Sequence, residues 1–394
     1  MISKNNGMWA LTKPFCLSFL LSVFLIFLAI PAWSGGLYLE EVLTPSMGTA
    51  SAGSAAVAND ASTAFHNPAG MPRVGGYELM VTSGFLASDI KFKTAPDTPV
   101  AGGNGGDAGG VIPAGSVFLT HKATDDVYVG FTLLSLSGAV LDYDNQWSGR
   151  YQCQEVDLFS ITLSPSVAYR MNDQLSVSAG VGFVYGNIEE DMAIPTPLEI
   201  NGKATLEGTD AQVGYKLGAL YELSDQTRMG IVYWSGVDFD FSGDLKLDKI
   251  GASVGAITKL TLPQYAKASF YHQINDAFAL LGTVGWEDWS TLDETPISLG
   301  GGAVEGALPR NWDDTWHYAG GIHYRVSDLW LLRCGMAYDT SPVSAEDRTA
   351  DMAVDRQIRY AVGATYTWSE SLDIGTDFVY VDLGSGKIDS DTLI

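Results

Sequence analysis

From Leu175 to Tyr185 the chain sets Leu175, Val177, Ala179, Val181, Phe183 and Tyr185 on one side of an extended strand and Ser176, Ser178, Gly180 and Gly182 on the other. Strand side chains alternate between faces with a period of two, so one face suits an apolar phase and the other a small, polar one. The pattern returns in Ile358, Tyr360, Val362, Ala364, Tyr366 and Trp368 against Gln357, Arg359, Ala361, Gly363, Thr365 and Thr367. It returns again in Tyr318, Ile322, Tyr324 and Val326 against His317, Ala319, Gly321, His323 and Arg325. These runs have the length that a tilted strand needs to cross a bilayer. A soluble sandwich buries its apolar face, whereas a wall in lipid turns that face outward and encloses the polar one. The predicted fold is all-β, a transmembrane antiparallel β-barrel with a polar lumen.

The amino terminus fits an exported protein. Lys4 and Lys13 flank the start of an apolar run, Phe15 to Ile30, followed by Pro31-Ala32-Trp33-Ser34 before Gly35. Residues 1–34 read as a secretory signal cleaved after Ser34. The alternative, an anchoring helix, needs a longer run, and no second helix-length apolar stretch follows. Cys16 lies inside the apolar core rather than at the cleavage end, against a lipoprotein. With 46 acidic residues against 22 Lys and Arg, the chain carries a net charge of −24, and losing Lys4 and Lys13 makes it more negative still. That charge excludes nucleic-acid binding through a basic surface and disfavours docking on an anionic leaflet. The 18 tyrosines and 10 tryptophans suit the aromatic girdles of a barrel. Of the cysteines left after cleavage, Cys153 falls in a loop and Cys334 in a strand, which leaves their pairing open.

Residues 35–75 differ from everything after them. They are rich in Ala, Ser and Gly, especially from Ser46 to Ala64, and end in Phe65-His66-Asn67-Pro68-Ala69-Gly70-Met71-Pro72. Small residues allow close backbone packing, so this stretch reads as a compact plug inside the lumen, with a disordered leader as the alternative. Residues 76–394 read as the barrel. About thirteen strands are expected, near 79–86, 111–122, 127–137, 158–170, 175–188, 206–222, 228–239, 263–273, 277–289, 315–326, 329–338, 356–368 and 372–383. Short turns at 123–126, 172–173, 224–226, 275–276, 327–328 and 369–371 alternate with long loops near 88–110, 139–155, 189–205, 240–262, 290–313 and 340–355. Bacterial barrels have short periplasmic turns and long outer loops, so the first strand rises from the periplasm. An odd count leaves the carboxyl end outside, whereas single-chain bacterial barrels close with an even number. The expectation is a wall short of its closing strand.

Several motifs then point one way: Asn67-Pro68-Ala69 after a leader opening Gly36-Leu37-Tyr38, Leu262-Pro263, Trp286-Glu287-Asp288-Trp289-Ser290, Asn311-Trp312-Asp313-Asp314-Thr315, and Asp339-Thr340-Ser341-Pro342-Val343 with Arg348. Together, over residues 36–383, they resemble the FadL family of outer-membrane long-chain fatty acid and hydrocarbon transporters. The resemblance implies a fourteen-stranded barrel whose amino-terminal hatch, with Asn67, Pro68 and Ala69 as its motif, fills the lumen. It also implies capture of a hydrophobic molecule among the outer loops, a lumen pocket, and lateral exit through a kink in the third strand. Here that kink is expected at Gly138, since glycine inside a strand often marks a bulge; a glycine merely fitting a crowded lumen is the plainer reading.

Alternation turns Arg170, His317, His323, Arg325, Arg333 and Arg359 inward. They are candidates for holding a carboxylate head group; the plainer reading is that they pair with acids of plug and wall. Fatty-acid carriers of the family have basic residues just beyond the fifth strand, whereas Asn187-Ile188-Glu189-Glu190-Asp191 is acidic, which leaves neutral alkanes or aromatics open. Glu189-Glu190-Asp191 reads as a solvated loop, with a cation bridge to lipopolysaccharide as the alternative. Neither Asn104-Gly105-Gly106-Asp107 nor Gly384-Ser385-Gly386-Lys387 fits a phosphate cradle. The five histidines lack metal-ligand spacing, so neither metal nor cofactor is expected. Trp234, Trp286, Trp289, Trp316 and Trp330 read mostly as interface anchors. The expected protein is a non-enzymatic uptake channel of the bacterial outer membrane, a monomer inserted by the barrel-assembly machinery, with outer-membrane lipid and lipopolysaccharide as neighbours. A general porin and a barrel-embedded lipid hydrolase using His317 or His323 are the alternatives.

Overall fold

The computed structural model describes Tyr38 and residues 42–135, 138–194, 202–249 and 251–389. The signal reading of residues 1–34 and the motif residues Gly36 and Leu37 lie outside the described residues. The wall begins with β1 (Tyr77–Ala87), β2 (Val111–Lys122), β3 (Val127–Leu134), β4 (Gly138–Asp142), β5 (Glu155–Arg170) and β6 (Leu175–Ala193). It continues through β7 (Lys203–Ser224), β8 (Thr227–Trp234), β9 (Val237–Leu247), β10 (Ala252–Leu262), β11 (Tyr265–Gln273) and β12 (Phe278–Glu287). The last third holds β13 (Glu294–Leu299), β14 (Val304–Pro309), β15 (Thr315–Ser327), β16 (Trp330–Asp339), β17 (Gln357–Ser369) and β18 (Leu372–Asp382).

These eighteen segments occupy thirteen places in the wall, because several are the lower and upper parts of one path. β3 and β4 both pair with β5, and β8 and β9 both pair with β7. β10 and β11 lie on β9 and β8, β12 and β13 on β11 and β10, and β15 and β14 on β12 and β13. All pairs are antiparallel. Among the described residues no register joins β18 to β1, each of which pairs on one side. The short turns are built by side chains that bond their own backbone. Asn172 Oδ1 accepts from the N–H groups of Gln174 and Leu175, both at 2.9 Å, and Asn275 Oδ1 accepts from Ala277 and Phe278 at 2.9 and 3.0 Å.

The outer ends depart from expectation. The stretches 240–262 and 290–313, expected as loops, carry β9, β10, β13 and β14, and β6 and β7 run well past their predicted ends. The reason lies in a change of solvent along each strand. In the lower part of β5, Phe159, Ile161, Leu163, Val167 and Tyr169 are exposed while Ser160, Thr162, Ser164 and Ser166 are buried. In its upper part the order reverses: Val156 and Leu158 are buried while Glu155 and Asp157 are exposed. The apolar phase thus slips by one residue between Leu158 and Phe159, yet the ladder to β6 runs through without a bulge. β9, lying wholly on the upper side, buries Val237, Phe239 and Phe241 and exposes Asp238 and Asp240. Below the slip the wall faces hydrocarbon and its inner face is small and polar; above it, water bathes the outside and the inner face is apolar. The lumen expected to be polar throughout is therefore polar in its lower half and greasy in its upper half.

Residues 42–74 form short helical turns at Pro45–Thr49, Thr63–His66, Pro68–Gly70 and Met71–Val74. They lie against inward faces right round the wall. Gly53 N–H donates to Thr283 Oγ1 of β12 at 2.8 Å, Ala55 N–H to Ser269 Oγ of β11 at 3.1 Å, and Ala61 N–H to Glu78 Oε1 of β1 at 3.1 Å. Backbone comes so close to the wall that a Cβ on Gly230 or Gly335 would collide with the carbonyl of Ala55 or Thr49. Packing that tight requires small residues on the inner side as well: Ala52, Ala56, Ala61, Ala64 and Ala69 are fully buried.

Candidate ligand path

The upper half of the interior is one apolar cluster. Strands contribute Leu158, Phe239, Phe241, Leu260 and Leu262, and three loops cover them with Trp147, Trp312, Ala350 and Met352. The cover is rigidly packed. Trp147 stacks on Tyr143 with centroids 4.0 Å apart and donates Nε1–H to the Cys153 carbonyl at 2.8 Å, while Tyr143 Oη donates to the Ala350 carbonyl at 3.2 Å. Cys153 and Cys334 are both free thiols, and Cys153 is buried in this cover.

A cavity with about 30 Å³ of free space lies within the cluster, lined by Val156, Leu158, Ile188 and Leu206 together with Glu190, Arg310 and Asp351. That is room for about two or three water molecules, so a larger guest enters only as the loops yield. Arg310 is buried and its charge is satisfied within the cover. It meets Asp351 in a bidentate pair at 3.0 and 2.6 Å and donates to Thr295 Oγ1 at 2.9 Å and Thr349 Oγ1 at 2.6 Å. Burial pushes the Asp351 carboxyl up, but Arg310 outweighs it and holds that carboxyl below the usual range. Glu190, opposite Val156 and so above the polarity slip, points into the cavity rather than into solvent. The solvated-loop reading of Glu189-Glu190-Asp191 is corrected: the three belong to β6, and Asp191 is buried under Lys203 and accepts from Thr205 Oγ1 at 2.5 Å.

An aromatic column leads down from this chamber. Trp312 and Trp289 lie 5.2 Å apart, Trp289 and Tyr38 5.4 Å, Tyr38 and Tyr265 5.5 Å, Tyr265 and Trp234 6.3 Å, and Trp234 and Phe65 5.9 Å. Trp234 and Trp289 are thus buried in the column instead of anchoring an interface, whereas Trp316 and Trp330 are exposed on the wall. The column ends on the inner segment, and there Lys216 of β7 holds it. Its Nζ sits under the Trp234 ring at 4.6 Å and donates to the carbonyls of Ala64 at 2.8 Å and Phe65 at 3.1 Å. Arg228 of β8 donates to the carbonyls of Ala56 and Val57. Asn67 ties both sides, donating from Nδ2 to the carbonyls of Ala55 at 2.8 Å and Ala219 at 3.0 Å and accepting Ala69 N–H at 3.2 Å. Pro68 and Ala69 follow in the buried turn that Asn67 caps. Phe65 packs in turn with Phe118, Leu134 and Val42.

Leu134 is where the third wall path breaks. β3 ends there and β4 resumes at Gly138, with Leu136 and Ser137 outside the described residues. Leu134 faces Thr162 and Gly138 faces Phe159, so four steps on this path oppose three on β5. After the break β4 pairs with β5 alone, and Val111–Ser116 of β2 pair with β1 alone. Between those two edges the wall has no ladder among the described residues. Ser116 Oγ instead donates to the Val42 carbonyl of the inner segment at 3.0 Å.

The six basic residues picked out by alternation do not converge on one site. His317 Nδ1 lies 2.7 Å from Asp339 Oδ1, and Arg359 pairs with the same Asp339 and with Gln357. Arg333 bonds Asp377 at 3.1 Å and Thr365 Oγ1 at 2.8 Å, with His323 as its cross-strand neighbour and Tyr271 edge-on to His323. Arg170 caps the short turn below β3, donating to the Asp125 carbonyl at 2.8 Å and Tyr128 Oη at 2.7 Å, and Arg325 is exposed at the same end. Sequence reasoning passed over Lys216, Arg228 and Arg310. Lys216 was within reach, since Val213, Tyr215 and Leu217 all point outward and force it in.

A membrane-spanning antiparallel wall, an interior lined by contacts with residues 42–74, and an apolar outer chamber define a protein of the outer-membrane transport class. Residues 25–392 match the family model described as outer membrane protein transport protein (OMPP1/FadL/TodX), and the chain belongs to that family of the bacterial outer membrane. It is 25% identical over 405 residues to the long-chain fatty acid transport protein of Escherichia coli O6:H1, covering 91% of this chain and 90% of that one. Among solved structures it is similar to a Pseudomonas aeruginosa FadL homologue, with a TM-score of 0.79 at 22% identity over 88% of this chain and 90% of that one. The Pseudomonas putida toluene transporter TodX follows with a TM-score of 0.62 at 14% identity, over 90% of this chain and all of that one.

Proposed function

We propose that the chain takes up hydrophobic molecules, fatty acids or hydrocarbons, and releases them sideways into the membrane. A guest captured under the outer loops moves down the aromatic column to the hatch formed by residues 42–74, and leaves through the break after Leu134. The observation that carries this reading is continuity: the apolar clusters of the outer cover and of Phe65, joined through Tyr38, run from the outer loops to Leu134 beside the stretch between β2 and β4 that lacks a ladder. Lateral release keeps an apolar cargo out of water, whose exclusion of apolar surface would otherwise oppose each step. The filled lumen speaks against a general porin. For a hydrolase, His317 has the orienting acid Asp339, but its Nε2 bonds no serine among the described residues.

Deleting Ser135 removes the extra residue and lets β4 join the β3 register, closing the gap. The expected outcome is loss of most uptake of labelled oleate and toluene, with a folded barrel that still shifts on heating in gel electrophoresis. Undiminished uptake in that variant overturns lateral release.

A further inference from the structure

The outer chamber contains a carboxyl group without a partner. Glu190 is 8% exposed, lines the cavity beside Leu158, Ile188 and Leu206, and accepts no hydrogen bond among the described residues. Arg310, the buried cation beside it among the described residues, is already held in its bidentate pair with Asp351. Lys259, also at the cavity edge, carries its ammonium to Asp240 at 3.1 Å and exposes more than half of its side chain. Thr295 accepts from Arg310, and Thr258 donates to the Pro296 carbonyl at 3.2 Å. A guest in this chamber therefore meets two carboxyl groups and one neutralised guanidinium.

Resting on the uptake reading above, we propose that the chamber binds uncharged apolar molecules bearing a hydroxyl or carbonyl oxygen and turns carboxylates away, with Glu190 as the specificity-determining residue. An anionic head placed here would lie in a low-dielectric site beside Asp351 with no free cation among the described residues to receive it. A neutral oxygen satisfies the unpaired Glu190 carboxyl, and the tail finds the leucines around it. Glu190 is suited to donate as well as accept: burial, with Asp351 beside it, pushes its carboxyl up to about 8, while Arg310 pulls the other way. The groups facing it are Asp351, Arg310 and the Cys153 thiol from the outer loops and Asp191 on its own strand.

The test compares octanol and octanoate binding to the purified protein at about pH 9.5, above the value near 8 at which Glu190 gives up its proton, followed by calorimetry and tryptophan fluorescence. The wild type is expected to prefer octanol by about tenfold or more, the equivalent of one uncompensated charge contact. Glu190→Gln should raise octanoate binding by about tenfold with octanol binding little changed, and Glu190→Lys should reverse the preference. Glu189→Gln, on the outer face of the same strand, should leave the ratio alone. Equal binding of the two probes by the wild type, or an unaltered ratio in Glu190→Gln with its heat-modifiable fold intact, overturns the inference. Toluene uptake by cells carrying the wild type tests the transport reading separately: transport without ligand preference removes only this inference, and preference without transport removes only that reading.

Discussion

Lys216 is a buried cation whose hydrogen-bond partners are two backbone carbonyls rather than a carboxylate. Its replacement by Met leaves both carbonyls unpaired, at roughly 1–3 kcal/mol each. The expected result is faster amide exchange across residues 63–67 and greater permeability to hydrophilic antibiotics, in a barrel that still assembles. Asp351→Ala strands Arg310 in the cover and should cost about 3–5 kcal/mol, read as a lower urea midpoint in lipid vesicles. Glu190 adds a pH dependence of known sign. Its folded carboxyl titrates near 8 rather than 4.5, so between these values the folded chain keeps a proton that the unfolded chain has released. Stability therefore falls as pH rises through that window, and Glu190→Gln should flatten the fall in unfolding titrations. Inward placement of His317, Arg333 and Arg359 was legible from alternation. Their partners were not, because Asp339 and Asp377 reach them across neighbouring strands and no local pattern records that pairing.

The break between β3 and β4 shows how much of an element a sequence discloses. Gly138 draws attention to the third strand, yet the register changes before it, by one surplus residue between Leu134 and Gly138. A Cβ at Gly138 would meet the Leu158 carbonyl at 3.1 Å, so Gly138→Val should perturb β4 locally and reduce uptake less than the Ser135 deletion does. Strand extensions above the membrane were missed for a physical reason. Apolar-out alternation marks a wall in lipid, and β9 and β10 alternate in the opposite sense because water replaces lipid outside them. In β5 the change is written openly as Val156-Asp157-Leu158-Phe159-Ser160, two adjacent apolar residues between two alternating runs.

For the molecule as a whole, residues 42–74 and the outer cover pack across the described interior, and planar-bilayer recordings of the intact protein should show little steady conductance. Loosening the inner segment with Arg228→Ala and Lys216→Ala together should produce flickering openings. The architecture was legible at this scale because thirteen alternating runs separated by short and long connections admit few other folds. The meeting of the upper cluster, the aromatic column and the broken strand was not, because it joins residues hundreds of positions apart. The slip between Leu158 and Phe159 also acts as a waterline painted on the hull. A strand advances about 3.3 Å per residue, and moving the barrel vertically by even that much would drag charges into oil or grease into water, so the protein cannot bob. The broken strand faces Thr162 to Phe159, at and just under that line, so the proposed exit route opens toward the upper leaflet. On that proposed route the cargo still has the lower leaflet to cross by itself.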